Sequence, residues 1–220
     1  MNLTYKDECM YIIVCTLLYV HCCYVIVFVI LYVHKCIYGV YMRYLIYYSS
    51  KGGVGKSTFA KISHLVLADN NQKKVAGDDT DPQQHYADWM SRHKNLVSLE
   101  EDAEFFIYDT QGAHTAANAE LLTAACDADA VILIPVKPSN DDLKEAQRIA
   151  NRLTQLNIMD KAIFFLNGCV ANSNYSNYRA ELGKLGKVAR KQINNRKAFA
   201  EIPTAREIND VSALLLEVLI

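Results

Sequence analysis

Residues 51–58 read Lys-Gly-Gly-Val-Gly-Lys-Ser-Thr, and this octet constrains the fold more than any other part of the chain. Three glycines allow the backbone to curl tightly, so that successive N–H groups can point at phosphate oxygens. A helix that begins near Lys56 would add its positive N-terminal end to the same place. In a loop of this kind, the lysine lies along the β- and γ-phosphates of a nucleotide, and the hydroxyl of Ser57 is a ligand of Mg²⁺.

The segments on either side of the octet have the order that such a loop needs. Residues 44–48 form a short apolar, aromatic-rich run that is typical of a buried strand. In residues 59–67, apolar side chains recur at helical spacing. Because strand, glycine loop and helix follow one another, the sequence favours a nucleotide site over an ordinary glycine turn.

The octet differs from a strict P-loop at its start, where Ser50 replaces the first glycine and Lys51 stands beside it. This variant resembles the deviant Walker A motif of the ParA/MinD family of ATPases. The resemblance implies that ATP is bound by the loop residues Gly52, Gly53, Val54, Gly55, Lys56, Ser57 and Thr58. It also implies that Lys51 and Lys56 are both catalytic, with Lys51 reaching across a homodimer interface to the partner's ATP. The alternative for Lys51 is a solvated loop lysine.

An acidic motif, Asp-Asp-Thr-Asp-Pro-Gln at residues 78–83, follows the next predicted strand. It resembles the Asp-x-Asp-Pro-Gln run of the same family. The resemblance implies that Asp81 orients or activates the attacking water and that Asp79 supports the metal shell. The alternative is an acidic turn that caps a helix starting near Gln83. Gly77 departs from the large aliphatic residue that is usual in the family.

A second strand end carries the remaining predicted metal ligand. Residues 105–110 (Phe-Phe-Ile-Tyr-Asp-Thr) are an apolar strand that ends in Asp109, which is the Walker B pattern. We expect Asp109 to hold Mg²⁺ through a water molecule, together with Ser57 and Asp79. The predicted cofactors are therefore ATP and Mg²⁺.

Later motifs extend the resemblance. Residues 130–136 form another apolar run, and residues 137–143 (Lys-Pro-Ser-Asn-Asp-Asp-Leu) are similar to a segment at the dimer face of the family. Asn167 stands where relatives place an adenine-contacting asparagine, although it could also only cap a turn. Pro203 lies in a segment that resembles the family's loop near the base.

The pattern of elements predicts an α/β fold with a mostly parallel β-sheet flanked by helices on both faces, the architecture of a P-loop NTPase. Strands are expected near 43–49, 73–78, 104–109, 129–135 and 162–167. Helices are expected near 56–69, 83–93, 114–126, 140–157, 176–192 and 206–218. The resemblance covers nearly all of residues 42–220, which we interpret as one ParA-like ATPase domain.

An apolar extension, residues 1–41, precedes this domain. Residues 10–34 contain no Lys, Arg, Asp or Glu and are long enough to cross a bilayer as a helix. One hypothesis is therefore a membrane anchor, with the domain on the cytosolic side. The other is that translation starts at Met42, just ahead of the first predicted strand, because residues 19–22 and 32–36 are near copies within a stretch of few residue types.

The formal net charge of −1 does not select a partner, but the charge is unevenly distributed. Residues 175–206 hold eight Lys or Arg and two Glu, partly on the predicted helix 176–192. Such a stretch can bind DNA non-specifically through phosphate contacts, or simply show its charged side to water. The candidate DNA-binding residues are Lys187, Arg190, Lys191, Arg196, Lys197 and Arg206.

The resemblance thus implies a cytoplasmic, nucleoid-associated ATPase of DNA partition, which dimerises on ATP and is released when a ParB-type centromere-binding adaptor stimulates hydrolysis. A MinD-like membrane-positioning ATPase is the main alternative, but such proteins end in a basic amphipathic helix, and no Lys or Arg follows Arg206 here. A membrane-tethered P-loop kinase is a further alternative. The isolated Cys126 and Cys169 have no metal-ligand spacing and are expected to be ordinary buried thiols.

Overall fold

The computed structural model describes residues 42–113, 115–199 and 203–219, all within one compact unit, Met42–Ile220. The predicted apolar extension, including the candidate membrane segment 10–34, lies outside the described residues. Within the described ranges, none of the helices is both long and apolar enough to cross a membrane.

Seven parallel strands and six α-helices form the body of the described unit. The strands are β1 (Arg43–Tyr47), β2 (Val75–Asp79), β3 (Phe105–Asp109), β4 (Ala130–Val136), β5 (Ala162–Cys169), β6 (Lys187–Val188) and β7 (Ile193–Asn194). The helices are α1 (Lys56–Leu65), α2 (His85–Arg92), α3 (Ala116–Ala124), α4 (Asn140–Gln155), α5 (Ser176–Gly183) and α6 (Ala205–Leu219). A π-helical turn, Val66–Asn70, continues α1.

The strand order is β2-β3-β1-β4-β5-β6, with β7 also paired to β5. Each of these pairings is parallel. All seven residues of β4 are buried, because strands in the middle of such a sheet are covered on both faces. The predicted mostly parallel sheet is therefore confirmed.

Two apolar layers cover the two faces of the sheet. Successive residues of a strand point to opposite faces, so Tyr47 of β1 packs with Phe59 of α1 and Val211 of α6, whereas Ile46 packs with Leu122 of α3. Helix α4 belongs to the second layer. The expected helices on both faces are confirmed, and all of the predicted main strands are present within a few residues.

One predicted element is wrong. Helix α5 ends at Gly183, and the segment expected to continue it to residue 192 instead contains the short strand β6 and leads to β7. The backbone at Gly186 lies so close to the Met159 side chain that a Cβ there would be 2.4 Å from its terminal carbon. Because the chain must pass this point to pair Lys187 with Ile163 of β5, a continuous helix does not fit.

Candidate functional site

The site lies at the carboxyl ends of three neighbouring strands. Parallel pairing sets Tyr47, the last residue of β1, beside Asp109, and sets Asp109 beside Asp79 at the end of β2. Residues that follow these strands therefore converge at one edge of the sheet, which is where open α/β sheets bind ligands.

The glycine loop between β1 and α1 adopts a conformation that depends on its glycines. Gly53 and Gly55 have φ angles of 68° and 97°, in the left-handed region. Gly55 occupies the N-cap position of α1, and no side chain caps this helix end. The first N–H groups of α1 therefore remain available to an anion, as expected of a phosphate-binding loop.

The side chain of Lys56 is folded back over the loop. It is 6% exposed, and its ammonium donates to the Lys51 carbonyl at 3.2 Å. Burial lowers the pKa of Lys56, whereas the carboxylates of Asp109 and Asp81 raise it. Two negative charges thus face a desolvated ammonium at the place where the sequence predicts phosphates.

Asp109 is buried with neither carboxylate oxygen in a hydrogen bond of good geometry within the described structure. Burial raises its pKa to about 6, and the nearby charges of Asp79 and Asp81 add to the shift, whereas the Ser57 hydroxyl and the Lys56 ammonium oppose it. A buried carboxylate without a partner is unfavourable, so both oxygens are suited to a cation.

Ser57 and Asp109 fit Mg²⁺, because this ion commonly uses one or two protein ligands with waters and substrate phosphates. Across the described ranges, no group of three or more His, Cys, Asp or Glu side chains is arranged to hold a metal ion. An all-protein metal cage is therefore not found there, and the donors present match a metal that arrives with a nucleotide.

The acidic motif after β2 makes backbone hydrogen bonds. Asp79 accepts from the N–H groups of Asp81, Tyr86 and Ala87 at 2.9, 2.8 and 3.1 Å. Oδ1 of Asp81 accepts from the N–H of Gln83 at 3.0 Å. The capping turn considered as an alternative for this motif is therefore present. Asp81 remains partly exposed, so its carboxylate can still contact a ligand.

The fold of this chain is similar to that of several solved structures. A plasmid partition protein from Borrelia burgdorferi superposes with a TM-score of 0.65 at 14% identity, covering 80% of this chain and 97% of that one. McdA from Cyanothece in complex with ATP gives 0.61 at 14% identity, covering 82% and 97%. MinD from Aquifex aeolicus gives 0.57 at 14% identity, covering 80% and 96%.

The chain has the ParA/MinD ATPase fold. At this level of identity the likeness extends to the fold alone. No protein-family model matches the sequence, and the search of curated proteins finds no match.

In this ParA/MinD-like fold, the start of the glycine loop is attached to α4. The ammonium of Lys51 lies 3.0 Å from Oδ1 of Asp142, and the side chain of Lys51 is 45% exposed. The Ser50 hydroxyl donates to the carboxylate of Glu145. Asp142 and Glu145 are three residues apart on α4 and so lie on one face of the helix.

Sequence reasoning missed these two contacts of α4. Asp142 and Glu145 are 91 and 95 positions away from their partners in the chain, and only the ParA/MinD-like run 137–143 pointed to this region. The first turn of a helix commonly carries Asp as a cap, so the sequence gives no separate signal for an ion pair.

Asn167 contacts the glycine loop between β1 and α1. Its side-chain amide donates to the Val54 carbonyl at 2.7 Å, and its oxygen accepts from the N–H of Gly168 at 2.8 Å. The structure therefore brings Asn167 to the predicted ATP-binding loop and also gives it the turn contact considered above. Pro203 lines a small cavity with Thr58 and Phe199.

The six candidate DNA-binding residues fall into two groups. Arg196 forms ion pairs with Glu207 at 2.8 Å and Asp210 at 2.5 Å, and Lys191 pairs with Asp210 at 2.6 Å. These cations hold the segments on either side of β7 to α6. The exposed group comprises Lys187, Arg190, Lys197 and Arg206.

Proposed function

We propose that this chain is a partition-type ATPase of the ParA/MinD family, which dimerises on ATP and binds DNA non-specifically until hydrolysis releases it. The observation that carries the proposal is the convergence of Lys56 and the unpartnered Asp109 at the strand ends, beside a helix N-terminus without a side-chain cap. This arrangement supports binding of a nucleotide triphosphate with its metal. The similar structures include a plasmid partition protein and an ATP complex, which supports the same class.

The residues of the site divide the chemistry among them. The N–H groups of residues 52–58 and the ammonium of Lys56 would bind the phosphates, and Ser57 and Asp109 would hold Mg²⁺, which neutralises charge on the transferred phosphoryl group. Asp81 would orient the attacking water. Lys51 would supply a second cation from the partner subunit, which makes the dimer dependent on the nucleotide.

The exposed cations after α5 support DNA as the surface on which the dimer works. Each phosphate that Lys187, Arg190, Lys197 or Arg206 neutralises adds affinity that depends on salt and not on sequence. A dimer would double these contacts and gain avidity. Release would follow when an adaptor of the ParB type stimulates hydrolysis.

Helix α6 favours this function over a MinD-like membrane function. Its apolar residues Val211, Leu214 and Leu215 are buried in the first core layer. Glu217 accepts hydrogen bonds from the N–H groups of Arg190 and Lys191. Because α6 packs against the body on these residues, its apolar face is not available to lie on a lipid surface.

The test is sedimentation of the full chain with DNA in the presence of ATP, ADP or no nucleotide, each with Mg²⁺. Co-sedimentation only with ATP supports the proposal, and Lys56→Ala should remove both ATP binding and the ATP-dependent DNA binding. Equal co-sedimentation in all three conditions would contradict a nucleotide-controlled partition function. ATP-dependent binding to anionic liposomes in place of DNA would support the MinD-like alternative.

A further inference from the structure

Both oxygens of the Asp79 carboxylate accept hydrogen bonds from the polypeptide backbone. Asp79 is 6% exposed, and its Oδ2 accepts from the N–H groups of Tyr86 and Ala87, the second and third residues of α2. Its Oδ1 accepts from the N–H of Asp81. Helix α2 needs this contact, because its N-cap residue, Gln84, has a φ angle of 51° and provides no side-chain cap.

Asp79 and Asp109 therefore differ in what they can still bind. Both carboxylates are buried at the ends of paired strands, but Asp109 has no well-formed hydrogen bond in the described structure and Asp79 has three. A metal that bound Oδ2 of Asp79 would have to displace backbone donors at the start of α2, which would leave buried N–H groups unpaired, and a metal that bound Oδ1 would share that oxygen with the N–H of Asp81.

Tyr86 donates its backbone N–H to Asp79, and its side chain contacts helix α1. Tyr86 is fully buried, and its hydroxyl lies 2.7 Å from Nδ1 of His64. Nε2 of His64 lies 3.0 Å from the Leu96 carbonyl, which can only accept, so Nε2 carries the proton and Nδ1 accepts from Tyr86. Burial lowers the pKa of His64 to about 4, which keeps the ring neutral.

Gly77 provides the space for this arrangement. A Cβ at residue 77 would lie 2.4 Å from the Tyr86 hydroxyl oxygen and 2.7 Å from the Ile107 carbonyl. Because residue 77 has no side chain, the Tyr86 ring can lie against the sheet at this point of β2. Gly77, which departs from the family pattern, is therefore the residue that leaves room for the buried Tyr86.

We propose that Asp79, Tyr86 and His64 form a positioning unit that fixes the segment carrying Asp81 relative to the P-loop helix, and that Asp79 acts through this unit and not as a metal ligand. His64 lies on α1, two turns beyond Lys56, so the unit joins the helix that follows the phosphate loop to the strand end that precedes Asp81. The inference rests on the proposed ATPase function. It assigns Asp79 a different role from the metal-supporting one that the sequence resemblance implies.

The test uses the full chain and the variants Asp79→Ala, Asp79→Asn and Tyr86→Phe, with Asp88→Asn on the exposed side of α2 as the matched control. Titration with a fluorescent ATP analogue at graded Mg²⁺ concentrations gives the Mg²⁺ midpoint, and single-turnover assays give the hydrolysis rate. We expect both Asp79 variants to keep the Mg²⁺ midpoint within about twofold, and Asp79→Ala and Tyr86→Phe to slow hydrolysis by about tenfold. The control should match the wild type.

A Mg²⁺ midpoint raised about tenfold in both Asp79 variants would place Asp79 in the metal site, as a ligand or in contact with one, and would overturn the proposal. Wild-type hydrolysis in Tyr86→Phe would remove Tyr86 and His64 from the unit. Hydrogen exchange of the Tyr86 and Ala87 amides separates this inference from the proposed function, since it needs no turnover. Faster exchange in Asp79→Ala but not in Asp88→Asn is expected even if the wild type hydrolyses no ATP, and unchanged exchange would contradict the cap.

Discussion

The ammonium of Lys51 lies 3.0 Å from the carboxylate of Asp142 in the same chain. Asp142 is buried, and its carboxylate also accepts a hydrogen bond from the Ser139 hydroxyl at the start of α4. For Lys51 to reach a nucleotide on a second subunit, this ion pair must open. The proposed dimer and the ion pair therefore compete for the same side chain.

Asp142→Asn should strengthen the ATP-dependent dimer. The Ser139 cap of α4 remains in this variant, but the charge that holds Lys51 is lost. A partly exposed pair of this kind contributes about 1 kcal/mol, and because each subunit of the dimer must open one such pair, the dissociation constant of the dimer should fall roughly thirtyfold. Analytical ultracentrifugation with ATP at several protein concentrations measures the change. The matched control is Asp141→Asn, which removes an exposed carboxylate one residue away. Equal or weaker dimerisation of Asp142→Asn would show that the ion pair does not restrain Lys51.

Asp109→Asn should stabilise the nucleotide-free protein while it abolishes Mg²⁺-dependent hydrolysis. The pKa of Asp109 is raised from 3.8 to about 6, so above pH 6 the folded state carries a charge that it disfavours. Removing that charge should increase the free energy of unfolding by about 1–3 kcal/mol at pH 7.5, and the gain should vanish as the pH falls towards 4. Chemical denaturation at both pH values measures it. A less stable variant at pH 7.5 would mean that Ser57 and Lys56 stabilise the Asp109 carboxylate by more than its burial costs.

Arg196→Ala should destabilise the fold more than it weakens DNA binding. The Arg196 guanidinium pairs with the buried carboxylate of Glu207. Burial raises the pKa of Glu207, but hydrogen bonds from Thr204 and Arg196 outweigh this effect and lower the pKa to about 2. Loss of one partner from a buried pair should reduce the free energy of unfolding by about 2–4 kcal/mol. The control, Lys197→Ala, removes an exposed cation next to it and should change stability by less than about 0.5 kcal/mol while lowering the salt dependence of DNA binding. The reverse ranking of the two variants would contradict these assignments.

His64 should make the stability of the protein depend on pH. Its pKa falls from 6.5 to about 4 on folding, so the unfolded chain binds the proton first as the pH is lowered. Between pH 7 and pH 5, the wild type should lose about 2 kcal/mol relative to His64→Gln. Asp109 contributes in the opposite direction over the same range, because its pKa is raised, but it is common to both proteins and cancels in the difference. Parallel pH profiles of the two proteins would show that His64 is protonated without cost in the folded state.

The sequence predicted the parts of this molecule that depend on local pattern. Short apolar runs that end in aspartate gave β2 and β3, and parallel strands necessarily bring such ends to one edge of a sheet. The glycine pattern likewise predicted a loop and the start of α1 at Lys56. These features need no knowledge of distant contacts.

The features that the sequence did not predict depend on distant contacts. Lys187 and Arg190 were expected on a long charged helix, but pairing with β5 and the tight approach of Gly186 to Met159 override helix propensity there. Arg196 was predicted to contact DNA, but in the fold it forms an ion pair with Glu207. Charge alone does not distinguish a solvated cation from one held in an ion pair.

The proposed function depends on a dimer in which Lys51 and Lys56 bind triphosphate from two subunits. The most direct measurement is the mass of the full chain in solution, by light scattering after size exclusion, with Mg²⁺ and either ATP or ADP. We predict a twofold mass with ATP and a single chain with ADP, and we predict that Lys51→Ala still binds ATP but remains a single chain. A wild-type protein that stays monomeric with ATP under conditions that saturate its nucleotide site would contradict the account.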